Sequence, residues 1–161
     1  LDVAPLLALN HTAPYQKVFS MRDPAVLKYI SVLAKTFGDI YSVNKKYSDL
    51  GVGIGRYPED RYDGYETSRI GNPWFLSTLA LGEYTCLAQQ EMAKKGTLTS
   101  VMQKNFNTVL EGQINRALFH SDRNGHMSEQ FNHENGIMQG AVDLTWSHNA
   151  FMTVMMRCKL I

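Results

Sequence analysis

At 161 residues the chain has the length of one ordinary domain and enough residues to bury a core. Apolar residues at 44% and charged residues at 19% exclude a disordered chain, and a formal net charge of +1 with no long basic run gives no electrostatic case for nucleic acid or an anionic membrane as partner. No apolar stretch reaches the length of a membrane helix, and the opening LDVAPLLALN has neither a basic segment nor a cleavage signature of a signal peptide. The sequence does not begin with Met and reads as an excised piece of a longer chain.

In chain order, a short helix is predicted at Val3 to Leu9, followed by a possible glycosylation triplet, Asn10-His11-Thr12, in a polar stretch before a proline. Asp23 as cap and Pro24 at the first helical position open an amphipathic helix over residues 24 to 42, with Val26, Ile30, Leu33, Phe37 and Ile40 at helical spacing. From Asn44 to Gly71 no period is visible; a loop this long inside a compact domain points to function, and its aromatic content to order. Asn72-Pro73 is read as cap plus proline for a helix running to Lys95, with Phe75, Leu79, Gly82 and Cys86 on one face. A further helix spans Thr99 to His120, with Met102, Phe106, Val109, Ile114, Ala117 and Leu118 on its expected buried side. Ser121 to Val142 is irregular, with turn signals at Asn124-Gly125 and Asn135-Gly136. The last helix follows Asp143 and keeps Leu144, Phe151, Val154, Met155 and Cys158 in register. The expected fold class is all-α, with long polar-aromatic loops feeding helix N-termini. Cys86 and Cys158 both fall in apolar helical patterns; buried free thiols are the plainer reading, with a disulfide left open.

Two loop segments carry the chemistry. Gly53-Ile54-Gly55-Arg56-Tyr57-Pro58-Glu59-Asp60, with Tyr62 and Gly71-Asn72-Pro73-Trp74 after it, packs charged groups and aromatics ahead of a helix. Sugars are bound by that mixture, since apolar ring faces stack on aromatics and charged groups make the stronger hydrogen bonds to hydroxyls. The second is Asn124-Gly125-His126-Met127-Ser128-Glu129-Gln130-Phe131, followed by Asp143-Leu144-Thr145-Trp146-Ser147, where a single loop Glu is suited to general-base work. Taken alone, each has a plain structural reading: an Arg–Asp ion pair, tryptophans as core anchors, a solvated Glu. His126 and His133 lack the second pair that a zinc site needs, and Gly51-Val52-Gly53-Ile54-Gly55 does not precede a helix as a dinucleotide fingerprint does, so no metal and no cofactor is expected.

G-I-G-R-Y-P-E-D with G-N-P-W-F-L downstream resembles a signature of the fungal and yeast glucoamylases, glycoside hydrolase family 15. M-S-E-Q-F, G-x-M-Q-G-A and D-L-T-W-S are similar to that family's later signature, in the same order. The resemblance covers essentially the whole chain, but only the C-terminal part of a family catalytic domain. It implies a portion of an (α/α)6 barrel with long active-site loops, and inverting hydrolysis of terminal α-1,4-glucosidic bonds in starch, glycogen or maltooligosaccharides. It implies Glu129 as general base, Arg56, Tyr57 and Asp60 in the loop lining the glucose subsites, and Tyr62, Trp74 and Trp146 as aromatics of the pocket, with Glu59 a structural partner. Secretion or a vacuolar lumen is implied in the same way.

The chain departs from the family pattern upstream of these motifs and in a shorter stretch between the second long helix and M-S-E-Q. The family's general acid lies upstream in a Glu-Glu segment that this sequence does not contain, as does an Arg-Asp pair that clamps the terminal sugar. Glu83, Glu91 and Glu111 lie in helical patterns without matching context. An inverting enzyme needs two carboxyl groups about 6.5–9.5 Å apart, so the expected partners are an α-glucan and the missing N-terminal part of the barrel. Competing readings are a non-catalytic glucan-binding or regulatory module, and a barrel acting on another glucoside such as trehalose or isomaltose.

Overall fold

The structure, a computed structural model, describes residues 1–13 and 19–160. Six helices follow in order: α1 (Ala4–Thr12), α2 (Pro24–Ile40), α3 (Ser42–Lys46), α4 (Phe75–Lys94), α5 (Ser100–His120) and α6 (Thr145–Arg157). Two-residue strands β1 (Gln130–Phe131) and β2 (Met138–Gln139) pair antiparallel between α5 and α6, with Gln130 opposite Gln139. The all-α expectation is met.

Local chemistry accounts for most of the boundaries. Asp23 accepts a 2.8 Å hydrogen bond from the amide of Ala25 and so caps α2, while Thr99 accepts from the amide of Met102 to cap α5. The helix expected from Asn72 instead starts at Phe75, because Asn72 Oδ1 accepts from His133 and Trp74 stays extended, with φ −105° and ψ 141°. Similarly, Asp143 does not cap α6; it adopts a left-handed backbone conformation, φ 52°, and Leu144 takes the cap position.

α4 is the central element. It packs against α1, α5 and α6, and its buried residues include Leu79, Ala80, Leu81, Tyr84 and even the polar Ser77 and Thr78. A helix covered all round is a core helix. The apolar stripe of α2, namely Val26, Ile30, Leu33 and Phe37, joins the same cluster.

Three expectations are corrected. Cys86 and Cys158 form a disulfide joining α4 to the end of α6, across 72 residues of sequence. The Asn10-His11-Thr12 triplet lies inside α1, with Asn10 buried and its amide donating to Ala80 O at 2.8 Å and Glu83 Oε2 at 3.2 Å. A glycan on that nitrogen would have to displace both bonds, and Glu83 is also paired with Arg157 at 2.7 Å, so this node binds α1, α4 and α6 together. Finally, the buried side of α5 carries Leu110, Gln113, Arg116, Ala117 and His120, while Met102, Val109 and Leu118 are exposed. The inward polar groups serve the backbone of the loops that α5 supports, and helical spacing of apolar residues does not register that demand.

Candidate active site

The two motif loops meet at the N-terminal end of α4. Trp74 pairs with Gln130 as an isolated β-bridge, Phe131 donates its amide to Pro73 O at 3.0 Å, and Trp74 donates to Ile54 O at 2.9 Å. The Asn72 amide donates to Asp63 O at 2.9 Å and Gln130 Oε1 at 3.0 Å, and Asn72 Oδ1 accepts from the backbone and Nδ1 of His133 at 3.0 and 2.9 Å. Asn72 and Gln130 are fully buried and fix one loop against the other. Burial holds the His133 ring below its ordinary pKa, which suits an imidazole whose Nδ1 donates and which carries no charge.

In the first loop, Arg56 grips Asp60 with two bonds of 2.7 Å, from Nε to Oδ2 and from Nη2 to Oδ1. Such a fork is the strong form of the ion pair. Its hydrogen bond to Asp60 raises the guanidinium pKa, so the group is charged throughout the working range. The guanidinium also lies within 5.5 Å of the ring centres of Tyr57, Tyr62 and Trp74. Asp60 is buried and accepts the Tyr62 amide at 3.0 Å. Trp74 is buried as well, and its indole Nε1 has no hydrogen-bond partner among the described residues. Glu59 is exposed and makes no side-chain hydrogen bond among the described residues, so the structural partner expected for it is not seen.

In the second loop, Glu129 is half-buried and its amide donates to Ala141 O at 2.9 Å. Tyr62 brings the first loop to it: the phenol oxygen lies 3.2 Å from Glu129 Oε2 and 3.1 Å from Gly64 O, two acceptors competing for one proton. Burial, and then the Glu129 charge, push the Tyr62 hydroxyl above its ordinary pKa, so it remains a donor. The Gln130 amide is 3.4 Å from the same oxygen. Beneath the carboxylate, Gly140 has φ 81°, and a Cβ there would lie 2.6 Å from Glu129 Oε2. That position therefore needs glycine both for its backbone and for its lack of a side chain.

Arg56, Tyr57, Asp60, Tyr62, Trp74 and Glu129 thus share one cluster. Trp146 stands apart from it. It is 52% exposed on α6 and lines a separate groove with Leu7, Leu76, Ala80 and Met156, although its neighbour Ser147 bonds Ser128 O beside Glu129. Sequence reasoning gives Asn72, Gln130, His133 and Gly140 no role in the site. Gly140 was detectable, as the glycine of G-x-M-Q-G-A.

The arrangement offers a carboxylate held by two donors next to a permanently charged guanidinium and several ring faces. That fits polyhydroxylated ligands better than apolar ones. Among the described residues no group of His, Cys, Asp and Glu is spaced to hold a metal ion.

Comparison with known proteins gives the class. The family profile described as Glycosyl hydrolases family 15 matches residues 1–156. The chain is 32% identical to a glucoamylase of Blastobotrys adeninivorans over 94% of its own length and 30% of the relative's. It is 31% identical to the intracellular, sporulation-specific glucoamylase of Saccharomyces cerevisiae, over 94% of this chain and 36% of that one. Its fold matches the glycoside hydrolase family 15 glucoamylase of Hypocrea jecorina with a TM-score of 0.83 and 27% identity, covering 99% of this chain and 31% of that structure. The chain belongs to glycosyl hydrolase family 15, and its helices are a portion of an (α/α)6 barrel. It spans about a third of the length of these relatives.

Proposed function

We propose that residues 1–161 form the C-terminal part of a glucoamylase catalytic domain, which releases β-glucose from the non-reducing ends of starch, glycogen or maltooligosaccharides by inversion. Glu129 acts as general base. It removes a proton from the water that attacks the anomeric carbon, while a carboxylic acid from the missing part of the barrel protonates the leaving oxygen. Arg56 holds sugar hydroxyls, steered by its grip on Asp60, and Tyr57, Tyr62 and Trp74 supply ring faces and edges. Trp146 joins the pocket wall only when the rest of the barrel is present. The observation that carries this reading is the placement of Glu129 on a pinned loop, 3.2 Å from Tyr62 and beside the Arg56–Asp60 pair.

The substrate is an α-glucan, and no cofactor takes part. The Cys86–Cys158 disulfide supports a secreted or lumenal setting, since such bonds are rare where thiols are kept reduced.

Glucose release from maltoheptaose tests the reading. The 161-residue chain alone is expected to be inactive, and activity is expected when the upstream half of a family barrel is supplied, lost again with Glu129→Gln. Turnover by the chain alone would show that it contains its own acid. Maltose binding without hydrolysis by the reconstituted barrel would favour a glucan-binding module.

A further inference from the structure

Arg116 and His120 sit one turn apart on the inner side of α5, behind the site and touching neither Glu129 nor Arg56. Arg116 is fully buried and makes no hydrogen bond to a carboxylate among the described residues; its guanidinium donates to Gly51 O at 2.5 Å, Tyr47 O at 2.7 Å and Val43 O at 3.4 Å. These three carbonyls belong to the segment leading into Gly53-Ile54-Gly55-Arg56. His120 serves the other loop. Its Nδ1 lies 2.9 Å from Gly136 O, and its ring stacks on Phe131 with centres 4.2 Å apart and planes 12° apart. Phe131 is two residues from Glu129. The two side chains also meet, with Arg116 Nη1 3.4 Å from His120 Nε2.

The chemistry of this pair is constrained. A carbonyl faces His120 Nδ1 and a guanidinium faces Nε2, so the ring is neutral, with Nδ1 donating and Nε2 accepting. A Cβ at Gly136, where φ is 79°, would lie 2.4 Å from the His120 ring. The loop therefore closes onto the imidazole with no room to spare. Burying a guanidinium against carbonyls alone costs stability that an apolar side chain would not. A structural residue filling this space would more naturally be Leu or Met.

We infer that Arg116 and His120 are a positioning pair, which locks the loop of Arg56 and the loop of Glu129 into one register from behind the site. Its catalytic consequence rests on the reading of Glu129 as general base; the mechanical coupling of the two loops does not. Acid is the natural way to release the lock. Burial first, then the adjacent Arg116, hold His120 down to about 4, so it becomes charged only in strong acid. Arg116 is the charged group facing it. The Gly136 carbonyl and the Phe131 face from the base loop, the Tyr47 ring 5.9 Å away at the end of α3 and the neighbouring Phe119 ring at 5.1 Å on α5 also surround it, none of them charged. The exposed Asp49 acts on Arg116 rather than on His120.

The test is amide hydrogen exchange of the 161-residue chain, followed in segments 42–55 and 130–137. His120→Phe keeps the ring stack but cannot donate to Gly136, and should speed exchange in both segments together by about 10-fold, the size of one lost buried hydrogen bond. Arg116→Lys keeps the charge but loses the fork, and should do the same, which provides a second route if the first variant folds poorly. His120→Asn places an amide nitrogen where Nδ1 lies but loses the ring stack, so it should lower protection near neutrality less than His120→Phe does and remove the further loss of protection in acid. In a reconstituted barrel, His120→Phe should lower kcat by up to about 100-fold with KM nearly unchanged, as expected for displaced but intact groups. Acceleration confined to the segment touching the altered residue, or an acid response that survives His120→Asn, would overturn the coupling. If Glu129→Gln retained activity while the exchange results held, the base assignment would fail and the coupling would stand.

Discussion

α4 and α5 are neighbours of almost equal length, 20 and 21 residues, yet they bury opposite kinds of surface. From Phe75 to Cys86 α4 is covered on every side, mostly by apolar or small residues, with Glu83 the one buried charge and paired to Arg157. α5 turns Gln113, Arg116 and His120 inward and leaves Val101, Met102, Val109 and Leu118 exposed. Position in the barrel explains the difference. α4 is held on three sides by other helices, whereas the inner side of α5 packs on α4 and, at Arg116 and His120, also faces loop backbone, whose carbonyls need donors more than they need methyl groups. Its outer side is an apolar strip of the kind that partner helices cover.

The contrast predicts very unequal responses to the same substitution. Leu79→Ala on α4 removes a side chain with no exposure and should cost about 2–5 kcal/mol in urea denaturation. Leu118→Ala on α5, 47% exposed, should change stability by no more than about 0.5 kcal/mol. Comparable losses would mean that the outer face of α5 is covered in solution, most simply by another copy of the chain, and sedimentation would reveal it.

The anchoring of α4 can be tested separately. Cys86→Ala with Cys158→Ala frees the end of α6 from α4 and should lower stability by about 2–4 kcal/mol, as expected for opening a long cross-linked loop. Because both thiols are replaced, no stray exchange confuses the result. A loss well below 1 kcal/mol would show that the Glu83–Arg157–Asn10 node already holds α6 in place.

The same inside-against-outside comparison applies to two glycines of the loop that carries Glu129. Gly125 and Gly140 have nearly equal torsions, φ 85° and 81°, but a Cβ on Gly125 meets nothing within 4 Å, while one on Gly140 meets the Glu129 carboxylate. Gly125→Ala should therefore cost only the backbone strain, about 1 kcal/mol. Gly140→Ala should cost about 1–3 kcal/mol more and displace the Glu129 carboxylate from Tyr62. Equal losses would show that Glu129 can move aside freely, which a positioned base should not do.

Much of this was legible in the sequence, for identifiable reasons. Asp23-Pro24 and Thr99 announce helix starts through local hydrogen bonding, and the structure begins α2 and α5 there. The Arg56–Asp60 spacing likewise brings both groups together within one loop. Non-local demands were not legible. Asn72-Pro73 has the form of a cap, but Oδ1, the atom that would accept as a cap, is claimed by His133, 61 residues away in sequence. The buried side of α5 was misread because polar residues sit where loop carbonyls wait, and apolar spacing carries no record of that. Cys86 and Cys158 lie on apolar faces whether paired or free, and only the packing of α4 on α6 brings their sulfurs together.

The effect most diagnostic in sign separates two histidines. His126 is exposed, and its Nδ1 lies 2.7 and 2.8 Å from the two Asp143 oxygens, with His148 Nε2 a further 3.2 Å from one of them. Its hydrogen bond to Asp143 raises its pKa, whereas burial lowers that of His120 to about 4. The signs follow from which state binds the proton more tightly. A raised pKa means that the folded chain holds its proton longer than the unfolded one. The His126 contribution is then fully present below about pH 6.5 and is lost as pH rises through the folded value. His120 behaves in the opposite way, because its depressed pKa costs stability as pH falls from about 6.5 towards 4. Melting temperature plotted against pH should therefore decline on both sides. His126→Ala should flatten the alkaline side by a small amount that added salt also removes, since the pair is exposed. His120→Asn should flatten the acid side and be insensitive to salt, since that group is buried. A profile in which either substitution alters the other side would mean that the loop of Glu129 and the inner side of α5 do not report on their histidines independently.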